Sequence, residues 1–164
     1  LPPVAVGNWV WDLPNTLVDR LIDNGAKRNV FYCPSHAAFN EDRTWYYPGN
    51  SPTTQGPFRI TGYVWMLSGI PQLPQRYWRT SMVGNATNRP TDTEIVVDVI
   101  ISSPPGQNYG QLPPGVGGLT IPQRTSHLDK GRPAGGNILF LDGHVEWRKF
   151  SSMTNRFGNP QFEF

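Results

Sequence analysis

Few side chains in this sequence have the chemistry to bind a metal or move a proton. The histidines are His36, His127 and His144, and Cys33 is the single cysteine. That set lacks the paired spacings of a zinc site, and one thiol cannot build a structural cysteine cluster. A hard cation needs only oxygen-rich ligands, so Asp98, Asp129 and Asp142 are the carboxylates to consider for calcium. The metal-site candidates are Asp98, His127 and Asp142, and no other cofactor is indicated.

Catalytic constellations are absent from the sequence pattern. Ser126 and His127 are neighbours in the chain, which is not the spatial pairing of a nucleophile with its base, and no G-x-S-x-G elbow surrounds any serine. The glycine-rich stretches 115–118 and 131–136 are not followed by Lys-Ser or Lys-Thr, so they read as turns and not as phosphate loops. Cys33 ends the apolar run Val30-Phe31-Tyr32-Cys33 and reads as a core thiol, because His36 alone makes no catalytic pair without a third, orienting group. The expectation is a protein that is not an enzyme.

Asp98 is the most informative charged residue. It lies inside Ile95-Val96-Val97-Asp98-Val99-Ile100-Ile101, where both faces of a strand are otherwise apolar. A carboxylate buried there requires hydrogen bonds or a cationic neighbour, with His127 or Arg132 the preferred candidates.

The elements that position these residues follow from periodicity. Trp9, Trp11 and Leu13 alternate with polar or smaller residues as a short extended lead-in. A helix is expected from about Asp12, capped by Asp12 or a neighbour, with Pro14 in its first turn and a stripe of Leu17, Val18, Leu21 and Ile22. Asn24-Gly25 ends it. Strands are expected over 29–33, 58–67 and 94–101, with a weaker one over 76–83. Residues 35–57 read as loop containing Trp45, Tyr46 and Tyr47, and 102–118, with two Pro-Pro pairs, as a long surface loop.

The C-terminal part predicts a β-hairpin. Two apolar runs, 137–141 and 144–148, flank Asp142-Gly143, the dipeptide that suits a two-residue type I′ turn. Pairing Leu141 with His144 and Phe140 with Val145 places Ile138, Phe140, Val145 and Trp147 on one core-facing side.

Composition bounds the class. The 164 residues fit one domain over 1–164, long enough to fold without disulfides. Gly and Pro contribute 17 each, about a fifth of the chain together and below the roughly 25 to 30% of low-complexity sequences. Six Trp residues and 12% aromatic content mark a folded protein. A net charge of +2 with scattered arginines argues against a nucleic-acid partner. No run approaches the roughly 18 apolar residues of a membrane span. The chain starts Leu1-Pro2-Pro3 without Met, so a preceding segment is expected. Asn85-Ala86-Thr87 matches the glycosylation triplet, and Trp9, Trp11, Trp45, Trp65 and Trp78 are candidates for stacking on sugars.

One long segment carries a resemblance. Gly135-Gly136-Asn137-Ile138-Leu139-Phe140-Leu141-Asp142-Gly143-His144-Val145-Glu146-Trp147 resembles the C-terminal signature of bacterial prepilin-type, processing-associated proteins, which look like pseudopilins. Residues 29–35 and 94–98 are similar to other recurring segments of that family, so the likeness spans roughly 9–164. The motif residues are His127, Gly135, Gly136, Asn137, Asp142, Gly143 and His144. The family spacing is a His, nine residues, then Asp-Gly. Here fourteen residues separate His127 from Asp142, and Lys130-Gly131-Arg132-Pro133-Ala134 reads as an insertion.

The resemblance implies an α+β fold, with an N-terminal helix packed on an antiparallel sheet, long Pro/Gly-rich loops and a C-terminal hairpin, as in a type IV pilin-like head. It also implies a preceding apolar helix that anchors the protein in the inner membrane and later joins a filament core, with an extracellular or cell-surface destination. The function implied is a structural subunit of a pilin-like filament or type II secretion-type pseudopilus, whose partners are copies of itself or other pilin-like subunits. The alternative is a cell-surface module that binds a glycan or protein through aromatic and loop residues.

Overall fold

The computed structural model describes residues 9–67, 89–102, 108–110, 112, 124–157 and 161–164. The chain divides into two compact units, residues 1–80 and 81–164. The fold class is α+β: the described strand pairs are antiparallel, and two α-helices lie among the described residues.

In the first unit, strand β1 (Asp12–Pro14) pairs with β2 (Phe58–Ile60), placing Asp12 opposite Ile60 and Leu13 opposite Arg59. Helix α1 (Asn15–Asp23) follows β1 directly. It starts three residues later than Asp12, and the reason is local. The Asp12 carboxylate accepts the Trp9 backbone N–H at 2.9 Å and so holds the extended lead-in, not the helix. Pro14 occupies the N-cap position, and Asn15 ties the first turn to the β2 approach, donating from Nδ2 to the Gly56 carbonyl at 2.7 Å. Val18 is the buried residue of the expected stripe, while Ile22 is exposed. The helix ends at Asn24-Gly25 as its residue types require, with Gly25 at φ +97° donating to the Ile22 carbonyl.

The segment 29–33 is not a strand. Residues Arg28–Phe31 form a 3₁₀ turn, and Val30 is exposed. Phe31, Tyr32 and Cys33 are nonetheless all buried in succession. Helix α2 (Asp42–Trp45) is a single turn that delivers Trp45 inward. The Arg59 guanidinium carbon lies over the Trp45 ring, 4.5 Å from its centre, and that of Arg28 lies 5.5 Å from it. Arg59, 7% exposed, also donates to Asp19 Oδ1 at 2.9 Å and Gln55 Oε1 at 3.1 Å. The Tyr32 hydroxyl donates to the Ile60 carbonyl at 2.8 Å, and burial pushes its pKa up to about 12. The expected strand over 58–67 is interrupted at Thr61-Gly62 before β3 (Tyr63–Trp65). A Cβ on Gly62 would lie 3.1 Å from Tyr32 Cα, so the backbones approach closely there.

In the second unit, β4 (Glu94–Asp98) and β9 (Val145–Lys149) flank β8 (Gly135–Phe140). β4 stops before the end of the apolar run, and the chain restarts as β5 (Ile101–Ser102). Between them the Val99 and Ile100 carbonyls accept the backbone N–H groups of Ser126 and Glu163. The tight hairpin β6 (Leu128–Asp129) and β7 (Arg132–Pro133) turns through Lys130 and Gly131, at φ +48° and +81°. Strands β10 (Asn155–Phe157) and β11 (Gln161–Glu163) complete a sheet in the order β10-β11-β5. The expected strand over 76–83, the glycosylation triplet and most of the loop 102–118 lie outside the described residues.

The β8–β9 hairpin exists, but its register differs by one residue from the expected one. Leu139 faces Val145, Ile138 faces Glu146 and Asn137 faces Trp147. The loop has three residues: Gly143 N–H donates to the Phe140 carbonyl and Phe140 N–H to the His144 carbonyl, each at 3.0 Å. Only Gly143 in that loop has positive φ, +93°. A loop closed by one left-handed glycine is the bulged alternative to the two-residue turn, in which Asp142 would also need positive φ. A one-residue slip sends every side chain to the opposite face. Ile138 and Phe140 are buried as expected, and it is the β9 side chains that turn over, leaving Val145 59% and Trp147 47% exposed.

Candidate functional site

The polar centre of the second unit forms where the end of β4 meets the start of β8. Asp98 is 3% exposed, and one of its oxygens, Oδ2, collects three contacts. It accepts the Asn137 backbone N–H at 2.6 Å and the Asn137 side-chain amide at 2.9 Å, and it lies 2.9 Å from His127 Nε2. The buried carboxylate is thus paired, as its apolar surroundings demand, and His127 is the partner among the two expected. Arg132 is exposed on β7, opposite Asp129 in the register of the small hairpin.

His127 holds its position under backbone constraint. Its φ is +52°, a left-handed conformation that few side-chain-bearing residues adopt. Its carbonyl accepts the Ala134 N–H at 2.9 Å, so residues 128–133 leave and return within one hydrogen bond. The ring meets Trp147 edge-on, with centres 4.9 Å apart, and Trp147 in turn covers Gly135. A Cβ at Gly135 would sit 2.2 Å from the Arg148 carbonyl oxygen and 2.9 Å from the Trp147 ring. One at Gly136 would sit 3.1 Å from Asp98 Cβ. Both glycines therefore allow close approach, which explains why the Gly135-Gly136-Asn137 triplet stands beside Asp98.

Asp142 and His144 lie elsewhere. They occupy the hairpin loop at the other end of β8, about 10 Å or more from Asp98 at roughly 3.3 Å per strand residue. Asp142 Oδ1 accepts the His144 backbone N–H at 3.1 Å and meets His144 Nδ1 at 2.6 Å. Those hydrogen bonds, first from the backbone N–H and then from the ring, hold the Asp142 carboxyl below its usual range. The His144 ring stacks flat on Phe140 at 4.3 Å. Asp98 and His127 are brought together, and Asp142 does not converge with them on a common point. Asp129 is exposed on β6.

Two further features escaped sequence reasoning. Tyr109 is buried and donates to Glu163 at 3.3 Å, and burial raises the Glu163 pKa. Burial, then the neighbouring Glu163 charge, pushes the Tyr109 hydroxyl up to about 12. The 54-residue separation of the two residues left no local trace in the sequence. Ser126 is fully buried, and its hydroxyl makes no hydrogen bond among the described residues. Of the sugar-stacking candidates, Trp11 and Trp45 are buried, Trp9 is half-buried and stacked on Trp11 at 5.6 Å, and Trp78 lies outside the described residues.

Comparison of the chain with protein-family models, with curated proteins and with solved structures finds no match. Among the described residues, no helix is long and apolar enough to cross a membrane.

Proposed function

We propose that this chain is a structural subunit, the head domain of a pilin-like filament or type II secretion-type pseudopilus, and not an enzyme. The observation that carries this reading is the convergence of three separated segments of the resemblance on one carboxylate. Asp98 closes the 94–98 segment, His127 is the motif histidine, and Asn137 belongs to the glycine-glycine-asparagine triplet; all three meet within 2.9 Å. One carboxylate oxygen gathers contacts from both other residues, which suits a joint between chain segments.

The spacing of the motif also supports it. Ala134 N–H returns to the His127 carbonyl, so residues 128–133, which overlap the expected insertion 130–134, are looped out as β6 and β7 and His127 stays beside the start of β8. On this reading the protein is carried to the cell surface by a preceding apolar helix, and its partners are copies of itself or other pilin-like subunits.

The test is immunogold electron microscopy of native surface assemblies with an antibody to this chain. Label along filaments is the expected result. Label confined to dispersed monomers, with the natural flanking sequence intact, would overturn the proposal.

A further inference from the structure

Strand β9 ends its sheet: β8 lies on one side, and no strand of the described residues lies on the other. All its residues but Arg148 are exposed. Phe140 N–H bonds to the His144 carbonyl and Phe150 N–H to the Ala134 carbonyl, so the even-numbered residues on this side face β8. By the alternation of an antiparallel ladder, the N–H and C=O groups of Val145, Trp147 and Lys149 point away from it. An exposed edge of this kind is a template for another strand.

The sequence of β9 decides which strand fits. We propose that β9 pairs antiparallel with β9 of a second copy of this chain, with Trp147 directly opposite Trp147 of that copy. In this register Val145 faces Lys149 of the second copy and every outward group finds a partner, giving up to about six backbone hydrogen bonds. Glu146 then faces Arg148 of the second copy, twice by symmetry, at the closer, non-hydrogen-bonded positions. Arg148, its side chain 22% exposed, is held in place by Glu94, which takes Nη2 at 2.6 Å.

Other registers are rejected by charge or by geometry. A two-residue shift sets Glu146 against Glu146 or Arg148 against Arg148, and a one-residue shift turns the ladder groups away from each other. The exposed Trp147 pair, 47% accessible on each copy, loses water on pairing. The contact is smaller than a standard interface of about 1,600 Å², so a weak dimer is expected, with Kd on the order of 100 μM. A two-fold pairing of this kind closes on itself, so it joins two subunits and does not by itself build a filament. It rests on the edge geometry and stands whether or not the filament reading does.

The 164-residue chain tests it by sedimentation equilibrium and by cysteine cross-linking, with Cys33 buried and out of reach. Trp147→Cys should form a disulfide-linked dimer at least about tenfold faster than Val145→Cys, because position 147 faces itself at about 5.5 Å, while two 145 positions lie about 13 Å apart. A mixture of Val145→Cys and Lys149→Cys chains should link as efficiently as Trp147→Cys. Glu146→Arg should weaken the dimer about tenfold or more, and adding Arg148→Glu should restore it. A chain that stays monomeric to about 1 mM, ten times the expected Kd, would sink the proposal. Equal cross-linking at 145 and 147, or a dimer indifferent to Glu146→Arg, would sink it too.

Discussion

Asp98 Oδ2 and His127 Nε2 lie 2.9 Å apart at the end of β4, and the same oxygen takes both N–H groups of Asn137. The carboxylate side chain is 2% exposed and the imidazole 23%, so the two partners contribute unequally. The aspartate is the hub and the histidine one of its spokes.

That inequality sets the first prediction. Asp98→Ala strips the partner from two Asn137 donors and from His127 at once, and should cost about 3 to 5 kcal/mol. His127→Ala leaves the carboxylate with its two Asn137 bonds and should cost about 1 to 2 kcal/mol. Urea denaturation of both variants decides; an equal or larger loss for His127→Ala would mean that the hub is misassigned.

Gly135 and Gly143 both have positive φ, +156° and +93°, but differ in steric contact. A Cβ at Gly135 would collide with the Arg148 carbonyl at 2.2 Å, whereas one at Gly143, φ +93°, meets nothing within 4 Å. Gly143→Ala should cost about 1 to 2 kcal/mol, the left-handed penalty alone, and Gly143→Val about 1 to 3 kcal/mol. Gly135→Ala should exceed Gly143→Ala because the strand itself must move. Thermal melts that reverse this order would contradict the close approach of β8 and β9.

The Glu163 carboxyl titrates with a raised pKa in the folded state. A raised acid binds its proton more tightly when folded, so its contribution is fully present below the ordinary glutamate pKa and is lost as pH rises through the folded value. Glu163→Gln should therefore be more stable than the parent chain at pH 7, and the two should converge near pH 4. Asp142 acts in the opposite sense, its lowered pKa contributing above the ordinary aspartate range and fading at lower pH. Parallel stability curves for Glu163→Gln and the parent would refute the glutamate's role.

Arg59 is bound by shape as well as charge. Its guanidinium carbon lies over the Trp45 ring, 4.5 Å from the centre, while its fork reaches Asp19 and Gln55. Lysine keeps the charge but has neither the plane nor the fork. Arg59→Lys should cost about 1 to 3 kcal/mol, with altered Trp fluorescence in the folded state. A stability within about 0.5 kcal/mol of the parent would show that charge alone matters there.

Several features were legible in the residues themselves because their causes are local. Asn24-Gly25 stops α1, since an amide and a residue free to take positive φ are what a helix end needs. The hairpin around Asp142-Gly143 follows from two apolar runs and a turn dipeptide. Asp98 inside an apolar run announces a buried acid that must have a partner, with His127 and Arg132 preferred, whereas the two Asn137 donors were not foreseen.

Other features depended on interactions that no short window contains. Asp12 suits a helix cap by type, but the Trp9 N–H claims it for the extended lead-in. The run 29–33 has strand composition, yet three successive side chains turn inward because the surrounding core accepts them all. The hairpin register is the sharpest case. The residues of β8 and β9 fit either of two loops, and the difference between a two-residue turn and a three-residue bulged one lies in one φ angle at Asp142. Sequence thus determined that a hairpin forms, and that an acid near its base is buried. Sequence also placed Ile138 and Phe140 in the core; tertiary structure alone decided that Val145 and Trp147 stay outside, because strand alternation turns a single residue of register into the whole choice of face for β9.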